Sequence, residues 1–342
     1  MTRHFLITGG AGFIGSNYVN RLLTRGEQVT IFDNLSRKGA ANNIQWLRET
    51  HGEHAFTLVI GDIIDENLIR EAVRDIDVVV HLAGQVAVTT SVNQPRMDFE
   101  SNAIGTFNLL EAARISDSRP IILYSSTNKV YGGMETVRVV EEKTRYRYAD
   151  YPLGVPETYP LDFHSPYGCS KGTGDQYMRD YARIYGLRTV VFRQSCIYGP
   201  RQFGIEDQGW LAWFVIAAII GKSITIYGNG KQVRDVLYIE DLMDVFDAGV
   251  EKIDKVSGEI FNIGGGPENT LSVWQEFGPM LERQLGKSIP TKWGEWRPGD
   301  QSIYVSDIRK AERELSWRPQ TKVEDGIAKL IQWVMANRDL FH

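Results

Sequence analysis

Near its start the chain reads Phe5-Leu6-Ile7-Thr8-Gly9-Gly10-Ala11-Gly12-Phe13-Ile14-Gly15. A short apolar strand is followed by a turn with glycine at positions 9, 12 and 15, and an apolar-periodic run then continues as a helix. In this arrangement Gly9 permits a tight turn, Gly12 lets the backbone approach a pyrophosphate, and Gly15 lets the helix pack closely on its strand. The stretch therefore predicts a βα unit that binds a dinucleotide at a helix N-terminus.

An acidic residue, Asp33, ends the next predicted strand and lies 18 residues after Gly15. This is close to the spacing of a carboxylate that accepts hydrogen bonds from the adenosine ribose hydroxyls. Because a carboxylate repels a 2′-phosphate, Asp33 favours NAD over NADP. Arg37 and Lys38 follow it and could neutralise such a phosphate, so the sequence leaves NADP open. Asp62 is either a contact to the adenine edge or a helix N-cap.

The composition bears on the compartment and on the classes of partner. The 342 residues are 42% hydrophobic and 24% charged, with a net charge of −5 at pH 7. This charge offers no general attraction to nucleic acid or to an anionic membrane. The longest apolar run, 210–220, is too short to span a bilayer. Cys169 and Cys196 form neither a disulfide framework nor a zinc motif, so we expect a cytoplasmic protein with no metal, no nucleic-acid partner and no membrane anchor.

Short apolar runs alternate with helical stretches along the first half of the chain. The runs are 56–60, 78–82, 121–124 and 189–192. Such alternation predicts βαβ units and an α/β fold, a Rossmann-type doubly wound parallel sheet. Two helical stretches begin at proline and are longer than most helices, which makes them candidates for a helix pair at a subunit interface. They cover 95–116 and 166–185.

The character of the sequence changes after Arg193, where loops rich in Gly, Gln, Trp and Arg replace the regular repeat. We interpret this part as a smaller, interleaved C-terminal region that binds the substrate. The predicted division is 1–193, with 229–255 and about 307–342 returning to it, for the dinucleotide-binding domain, and 194–228 with 256–306 for the second region. A ligand cleft is expected between them, at the carboxyl ends of the strands.

A second motif, Tyr167-Gly168-Cys169-Ser170-Lys171, lies near the start of the second long helix. A spacing of four places the tyrosine and the lysine on one helical face. A free phenol has a pKa near 10, and a neighbouring ammonium group or an oxidised nicotinamide lowers that pKa by favouring the phenolate. Ser125-Ser126-Thr127 ends a predicted strand, which delivers a hydroxyl to the same cleft.

Together these features resemble the extended short-chain dehydrogenase/reductase family over essentially the whole chain. The resemblance is carried by the glycine turn, Asp33, His81-Leu82-Ala83-Gly84, Asn102, the Ser-Ser-Thr strand end and the Tyr-x-x-x-Lys motif. It implies that Tyr167 is the catalytic acid and base, that Lys171 lowers its pKa and holds the nicotinamide ribose, and that Thr127 bonds the substrate hydroxyl. It also implies a tightly bound NAD that is regenerated in each turnover, and a homodimer or homotetramer formed through the helix pair.

The resemblance further implies contacts to the cofactor from the turn, the strand ends and the helix pair. These residues are Gly9, Gly12, Phe13, Ile14, Gly15, Asp33, Asn34, Ser36, Arg37, Asp62, Ile63, Leu82, Ala83, Gly84, Asn102, Tyr167 and Lys171. Arg234 and Arg297 match positions that bind the diphosphate of a nucleotide sugar. The alternative for each arginine is a surface ion pair.

The residues that follow Thr127 bear on the type of reaction. Family members that dehydrate or decarboxylate sugars carry an acidic residue there, whereas this sequence has Asn128 and Lys129. Without a carboxylate to take up the proton, elimination is disfavoured, and oxidation followed by re-reduction, which is epimerisation, is favoured. A UDP- or GDP-sugar 4-epimerase, a net dehydrogenase or reductase, and a non-catalytic NAD-binding protein remain alternatives.

Several further stretches resemble the branch of the family that inverts carbon 2 of CDP-linked dideoxyhexoses in lipopolysaccharide O-antigen biosynthesis. They are 33–39, 84–87, 126–132, 161–167 and 207–210. This resemblance implies hydride removal from carbon 2, a 2-keto intermediate, and hydride return to the other face. The expected contacts to the nucleotide-sugar substrate are Gln85, Thr127, Asn128, His164, Gln208, Gly209, Trp210, Arg234 and Arg297.

Overall fold

The computed structural model describes residues 2–296 and 300–341. The strands are, in chain order, β1 (His4–Thr8), β2 (Gln28–Asp33), β3 (Thr57–Ile60), β4 (Val78–His81), β5 (Ile121–Thr127), β6 (Val139–Glu141), β7 (Tyr146–Tyr148), β8 (Thr189–Gln194), β9 (Cys196–Tyr198), β10 (Ile224–Tyr227), β11 (Val233–Tyr238), β12 (Glu259–Ile263), β13 (Thr270–Ser272), β14 (Thr291–Gly294) and β15 (Ile303–Tyr304). The helices are α1 (Phe13–Thr24), α2 (Ala40–His51), α3 (Glu66–Ala72), α4 (Val88–Asn93), α5 (Pro95–Phe99), α6 (Gly105–Ile115), α7 (Ser165–Tyr185), α8 (Trp210–Ile220), α9 (Ile239–Glu251), α10 (Ile253–Val256), α11 (Phe277–Leu285), α12 (Arg309–Leu315) and α13 (Val323–Ala336). A π-helical turn, Glu100–Ile104, joins α5 to α6, and 3₁₀ turns cover Asn128–Tyr131 and Arg338–Phe341.

Seven parallel strands form the main sheet, in the order β12-β8-β5-β4-β1-β2-β3. The strand order runs outward in both directions from the β1–β4 pair, so a crevice opens beyond the carboxyl ends of these strands. The sheet confirms the predicted Rossmann-type doubly wound fold. Thr8, Asp33, His81, Thr127 and Gln194 are the last residues of their strands and share this carboxyl edge.

Helices cover both faces of the main sheet, which explains why its strands are continuous apolar runs. Leu6 and Val79 belong to the core shared with α6 and α7, whereas Ile7 and Val80 belong to the core shared with α1 and α9. Successive side chains of a strand point to opposite faces, so each strand contributes to both cores. This two-sided burial holds the carboxyl edge, and therefore the site, in place.

Both long helices predicted from the sequence are present. The stretch 95–116 is observed as α5, the π-helical turn and α6, and the stretch 166–185 is observed as α7. Gly186 ends α7 in the left-handed conformation, with a φ of 66°. Among the described residues, none of the helices combines the length and the apolar character needed to cross a membrane.

A smaller sheet is built around β11, which pairs with β9, β13 and β15, and a separate pair joins β10 to β14. The predicted division of the chain differs from the structure in two places. β12 was assigned to the second region but pairs with β8 at the edge of the main sheet, because Ile260, Phe261 and Ile263 are buried and complete its apolar layers. β11 falls in the predicted main domain but lies in the smaller sheet, whereas α9 and α10, which follow it, pack on the main sheet.

Candidate active site

The glycine turn joins β1 to α1 and leaves no room for a side chain at two positions. A Cβ on Gly15 would lie 2.3 Å from the Gly9 carbonyl oxygen. Gly9 has a φ of 72°, and a Cβ there would lie 2.8 Å from the Ala83 nitrogen. α1 begins at Phe13, and in the described part of the chain no side chain caps it at Gly12. The first N–H groups of α1 are therefore available to phosphate oxygens, as a dinucleotide pyrophosphate requires.

Asp33 ties the glycine turn to the end of β2. One of its carboxylate oxygens accepts from the Ala11 N–H at 3.0 Å, and the other accepts from the Leu35 N–H at 2.8 Å. Burial raises the pKa of Asp33, and the two backbone hydrogen bonds oppose this shift. A carboxylate has about four acceptor positions, so about two remain for ribose hydroxyls.

The loop after β2 is held together by its own polar side chains. The Asn34 amide donates to Asp62 at 2.9 Å, and the Ser36 hydroxyl donates to Asn34 at 2.7 Å. Asp62 also accepts from the backbone N–H of Ile64 at 3.2 Å, but the side chain that caps α3 is that of Asp65. The N-cap alternative for Asp62 is therefore wrong, and its contact with adenine stays a prediction.

Arg37 reaches across the cleft, since its guanidinium donates to Gln208 Oε1 at 2.7 Å. The side chain thus links the loop after β2 to the loop before α8. Lys38 is exposed. Ile63 is buried in the core shared with α6, and its contact with the cofactor stays a prediction.

The Thr8 hydroxyl organises the end of β4. It accepts from the N–H groups of Leu82 and Ala83, each at 3.2 Å, and lies 2.7 Å from His81 Nδ1. The other ring nitrogen of His81 lies 3.0 Å from the Thr106 hydroxyl. Burial lowers the pKa of His81 to about 3, so the imidazole is neutral at physiological pH. His81 therefore supports the loop that follows β4.

Both polar atoms of the Asn102 side-chain amide form hydrogen bonds with other protein groups. Its Oδ1 accepts from the Gln85 N–H at 2.9 Å, and its Nδ2 lies 3.1 Å from Gln85 O, 3.2 Å from Asp98 Oδ1 and 3.0 Å from Ser170 Oγ. A Cβ on Gly84 would lie 2.4 Å from Asn102 Oδ1. Asn102 thus holds the loop after β4 against α7, and its predicted contact with the cofactor stays a prediction.

Thr127, Tyr167 and Lys171 line one cavity at the carboxyl edge of the main sheet. Thr127 ends β5, and Tyr167 and Lys171 lie one turn apart in α7. The same cavity is lined by residues predicted to contact the cofactor, which are Phe13, Ile14, Leu82 and Gly84. It is also lined by residues predicted to contact the nucleotide-sugar substrate, which are Gln208, Gly209 and Trp210. Within residues 2–296 and 300–341, no group of three or more His, Cys, Asp or Glu side chains is placed to hold a metal ion.

Burial controls the protonation of the tyrosine and the lysine. It raises the pKa of Tyr167 to about 12, although hydrogen bonding to Thr127 opposes the shift. It lowers the pKa of Lys171 to about 7, although the charges of Asp175 and Asp98 oppose that shift. The Lys171 ammonium lies over the Tyr124 ring, 4.3 Å from its centroid. The Tyr-x-x-x-Lys spacing predicts a lowered pKa for Tyr167, but burial outweighs the hydrogen bond with Thr127 and the charge of Arg37.

The predicted sugar-side residues are divided between two cavities. His164 lines a second cavity beside the first, where its Nδ1 accepts from the Gly133 N–H at 3.2 Å. Asn128 is buried next to Thr127, with 3.4 Å between Oδ1 and the threonine hydroxyl. The Gln85 amide turns back to the backbone of Ala87, with hydrogen bonds of 2.6 and 2.5 Å. Gln85 would therefore have to release these bonds to contact a sugar through its side chain.

Arg234 lies in β11 and is only 8% exposed, so the alternative of a surface ion pair does not describe it. Its guanidinium donates to Asp300 Oδ1 at 2.7 Å and to its neighbour's carbonyl, Val233 O, at 2.8 Å.

Trp210 begins α8 and packs edge-on against Phe277, with 5.5 Å between ring centroids. Arg297 lies outside the described residues.

The chain matches the sequence profile of the family described as GDP-mannose 4,6 dehydratase over residues 6–330. It belongs to this family. The match places the chain among the nucleotide-sugar epimerases and dehydratases of the short-chain dehydrogenase/reductase type, as its motifs predicted.

Three relatives illustrate the range of the family. The CDP-paratose 2-epimerase of Salmonella typhi is 47% identical over 335 residues, which cover 96% of this chain and 98% of the relative. The UDP-glucose 4-epimerase of Thermotoga maritima, solved with UDP-glucose, has a TM-score of 0.83 at 30% identity and covers 98% of this chain and 99% of its own. The dTDP-glucose 4,6-dehydratase of Streptomyces venezuelae, solved with NAD and TYD, has a TM-score of 0.84 at 30% identity and covers 99% of both chains.

Two buried carboxylates that support the family's Tyr-x-x-x-Lys motif were missed by the sequence analysis. Asp98 is fully buried and accepts from the Ser170 hydroxyl at 2.5 Å. Asp175 is also fully buried and forms two hydrogen bonds with Arg193, at 2.8 and 2.9 Å. The only local signal is the spacing of four between Lys171 and Asp175, which places both on one face of α7.

Proposed function

We propose that this protein is an NAD-dependent nucleotide-sugar epimerase that inverts carbon 2 of a CDP-linked dideoxyhexose and so interconverts CDP-paratose and CDP-tyvelose. The observation that carries the proposal is the single cavity in which Thr127, Tyr167 and Lys171 meet the glycine turn. Identity of 47% to a CDP-paratose 2-epimerase over almost the whole chain supports the choice of substrate.

The cofactor residues fit a dinucleotide. The uncapped N-terminus of α1 offers N–H groups to the pyrophosphate, and Asp33 retains acceptor positions for ribose hydroxyls. NAD, when bound, would supply the hydride acceptor and donor and a positive charge close to the phenol. Lys171 would hold the nicotinamide ribose. Asn34, Ser36 and Asp62 would contact the adenosine part of the cofactor.

Protein side chains would transfer the proton of the hydroxyl group on the carbon that is oxidised. Thr127 would orient the substrate hydroxyl, and Tyr167 would take its proton during oxidation and return it after the hydride has come back on the other face. Tyr167 is shielded from bulk water, so the proton stays at the phenol while the keto intermediate exists. Retention of the cofactor through many turnovers follows from this cycle, because it produces no net NADH.

A dehydratase reaction is disfavoured by the residues next to Thr127. Asn128 is buried beside the threonine and Lys129 follows it, so neither position offers a carboxylate to remove a proton from a ring carbon. Epimerisation at carbon 4 is the second candidate, since the Thr-Tyr-Lys arrangement does not choose the carbon and the fold matches a UDP-glucose 4-epimerase. A net dehydrogenase or reductase of the same family would have to release its cofactor in each turnover.

The assembly and location are further parts of the proposal. Phe99, Phe107, Tyr177 and Ile184 are 41–65% exposed on α5, α6 and α7, which is a large apolar surface for a monomer. The rings of Phe107 and Tyr177 meet edge to face, 6.0 Å apart, so the patch runs continuously across the helix pair. We infer that a homodimer or homotetramer covers it, in a cytoplasmic enzyme of lipopolysaccharide O-antigen synthesis.

Replacing Asp33 by alanine is expected to weaken NAD binding by about 1.5–3 kcal/mol, because charge-assisted hydrogen bonds to the ribose are lost. Isothermal titration calorimetry with NAD measures this change. Asp65→Ala is a matched control, since Asp65 also accepts two backbone hydrogen bonds but caps α3 away from the cleft. Unchanged NAD affinity in Asp33→Ala would contradict the assignment.

The carbon that reacts is tested with CDP-paratose deuterated at carbon 2. Direct hydride return predicts that the CDP-tyvelose formed in ordinary water keeps the deuterium on the inverted carbon, which NMR or mass spectrometry detects. Loss of the label to water would require proton abstraction instead of hydride transfer. Inversion at carbon 4 with carbon 2 untouched would leave the 4-epimerase as the function.

A further inference from the structure

Lys129 lies two residues after Thr127 and is held at both ends. Its N–H donates to the Thr127 hydroxyl at 3.2 Å, and its Nζ donates to Gln301 Oε1 at 3.2 Å. Gln301 is buried and donates in turn to the carbonyl of Gly132. With Asp300 and Gln301, the lysine lines the second cavity, next to the catalytic one. Its backbone therefore stays beside Thr127 while its ammonium reaches the segment that leads into β15 of the smaller sheet.

Lys129 lies near a second cation, Arg234, and near a carboxylate, Asp300. Asp300 accepts from the buried Arg234 at 2.7 Å. Burial lowers the pKa of Lys129 to about 8, the charge of Arg234 lowers it further, and the charge of Asp300 opposes the shift. A charge removed from water is unfavourable unless an opposite charge compensates it. Asp300 is thus paired with Arg234, and within the described residues no carboxylate lies at ion-pair distance from the Lys129 ammonium, as expected of a cation that receives an anionic ligand.

We propose that Lys129 binds the sugar-proximal phosphate of the nucleotide sugar, and that it thereby brings carbon 2 to Thr127 and Tyr167. The inference rests on the proposed function, in taking a nucleotide sugar as the substrate. Arg234 would bind the same diphosphate from the other side, since its guanidinium already lies near Lys129 and points to Asp300.

The geometry of the sugar explains why this phosphate contact bears on the carbon. Carbon 2 is bonded to the anomeric carbon that carries the diphosphate, whereas carbon 4 lies on the opposite side of the ring. A cation whose backbone bonds Thr127 and whose ammonium lines the neighbouring cavity favours a pose in which the reacting hydroxyl lies close to the anomeric centre. A phosphate oxygen at hydrogen-bond distance would also keep Lys129 protonated, which prevents it from acting as a base towards the carbons beside the keto group.

The test compares Lys129→Gln, Lys129→Arg and the native enzyme, with exposed Lys222→Gln as the control. Calorimetric titrations with CDP, cytidine and NAD are the measurement. In Lys129→Gln we expect CDP affinity to fall about tenfold to a hundredfold, as the loss of a charge-assisted hydrogen bond predicts, while cytidine and NAD affinities stay the same. Lys129→Arg should retain most of the CDP affinity, and KM for the substrate should rise in Lys129→Gln more than kcat falls.

Unchanged CDP affinity in Lys129→Gln would overturn the inference, and so would an equal loss for cytidine or an equal loss in Lys129→Arg. The proposed nucleobase is tested separately by the native enzyme. If UDP, GDP or dTDP binds to it and CDP does not, the CDP assignment fails, and the same comparison with that diphosphate and its nucleoside decides the role of Lys129. If none of the four diphosphates binds to the native enzyme, both proposals fail.

Discussion

Replacing Tyr167 by phenylalanine is expected to lower turnover about 10²- to 10⁴-fold, the range for loss of a general acid and base. The substitution keeps the ring that packs in the cavity and removes only the hydroxyl. Because substrate and cofactor contacts elsewhere are untouched, the affinities for NAD and for the nucleotide sugar should change little. Steady-state kinetics and calorimetry on the same preparation separate the two effects.

Tyr124→Phe is the matched control for this experiment. Tyr124 is also buried, and its ring lies beneath the Lys171 ammonium, 4.3 Å from Nζ to the centroid. Its hydroxyl donates to Lys171 O at 3.4 Å and does not line the catalytic cavity. We expect a small effect on turnover from this loss. A Tyr167→Phe variant with near-native turnover, or one no slower than Tyr124→Phe, would exclude the catalytic role of Tyr167.

The pH profile provides a second readout of the same residue. Burial raises the pKa of Tyr167 to about 12 and lowers the pKa of Lys171 to about 7. Because these two pKa values lie far apart, the groups are expected to titrate in separate steps, the lysine first as the pH rises. The alkaline dependence of kcat/KM in the native enzyme should change in Tyr167→Phe, because only the lysine then titrates.

Replacing Arg193 by methionine is expected to destabilise the fold by about 3–5 kcal/mol, because it leaves the Asp175 carboxylate buried without its partner. The two side chains are 2% and 0% exposed and are joined by hydrogen bonds of 2.8 and 2.9 Å. Asp175 also accepts from Ser126 at 2.7 Å, and Arg193 donates to the Tyr131 hydroxyl at 3.0 Å. The substitution should therefore also disturb the end of β5, where the catalytic threonine lies.

The shift in the urea unfolding midpoint measures this effect. Arg138→Met is the control, because Arg138 pairs with Asp150 at the surface, with side-chain exposures of 78% and 37%, and such pairs contribute about 0–1 kcal/mol. The double variant Arg193→Met with Asp175→Leu should be more stable than Arg193→Met alone, since no charge is then left buried. A single variant as stable as the control would show that the pair does not hold this part of the fold.

Much of the predicted cofactor-binding region could be read from the sequence because its motifs are local. The glycine turn, the acid at the end of β2 and the Tyr-x-x-x-Lys spacing each lie within one strand, one turn or one helix. The continuous apolar strands indicated a sheet covered on both faces, and the structure confirms it. The position of β12 was not predictable in this way, because a short apolar strand carries no mark of the sheet in which it will pair.

The buried side chains that support the site were not predictable from local sequence patterns. Asp98 meets Ser170 across 72 residues, and Tyr131 meets Asn262 across 131 residues. A buried carboxylate cannot be distinguished from an exposed one in a sequence, because tertiary packing determines which side chain is removed from water. The pKa of Tyr167 is likewise decided by tertiary structure, because burial is the main cause of its upward shift.

By itself the sequence determined the glycine turn and the parallel sheet and predicted the residues of the reaction centre, because backbone conformation and side-chain periodicity are set by near neighbours. Only the tertiary structure decided that Asn102 supports a loop, that Arg37 reaches Gln208, and that the Lys129 ammonium reaches Gln301 in the second cavity. These contacts join segments far apart in the chain, and their energies depend on the water that folding removes.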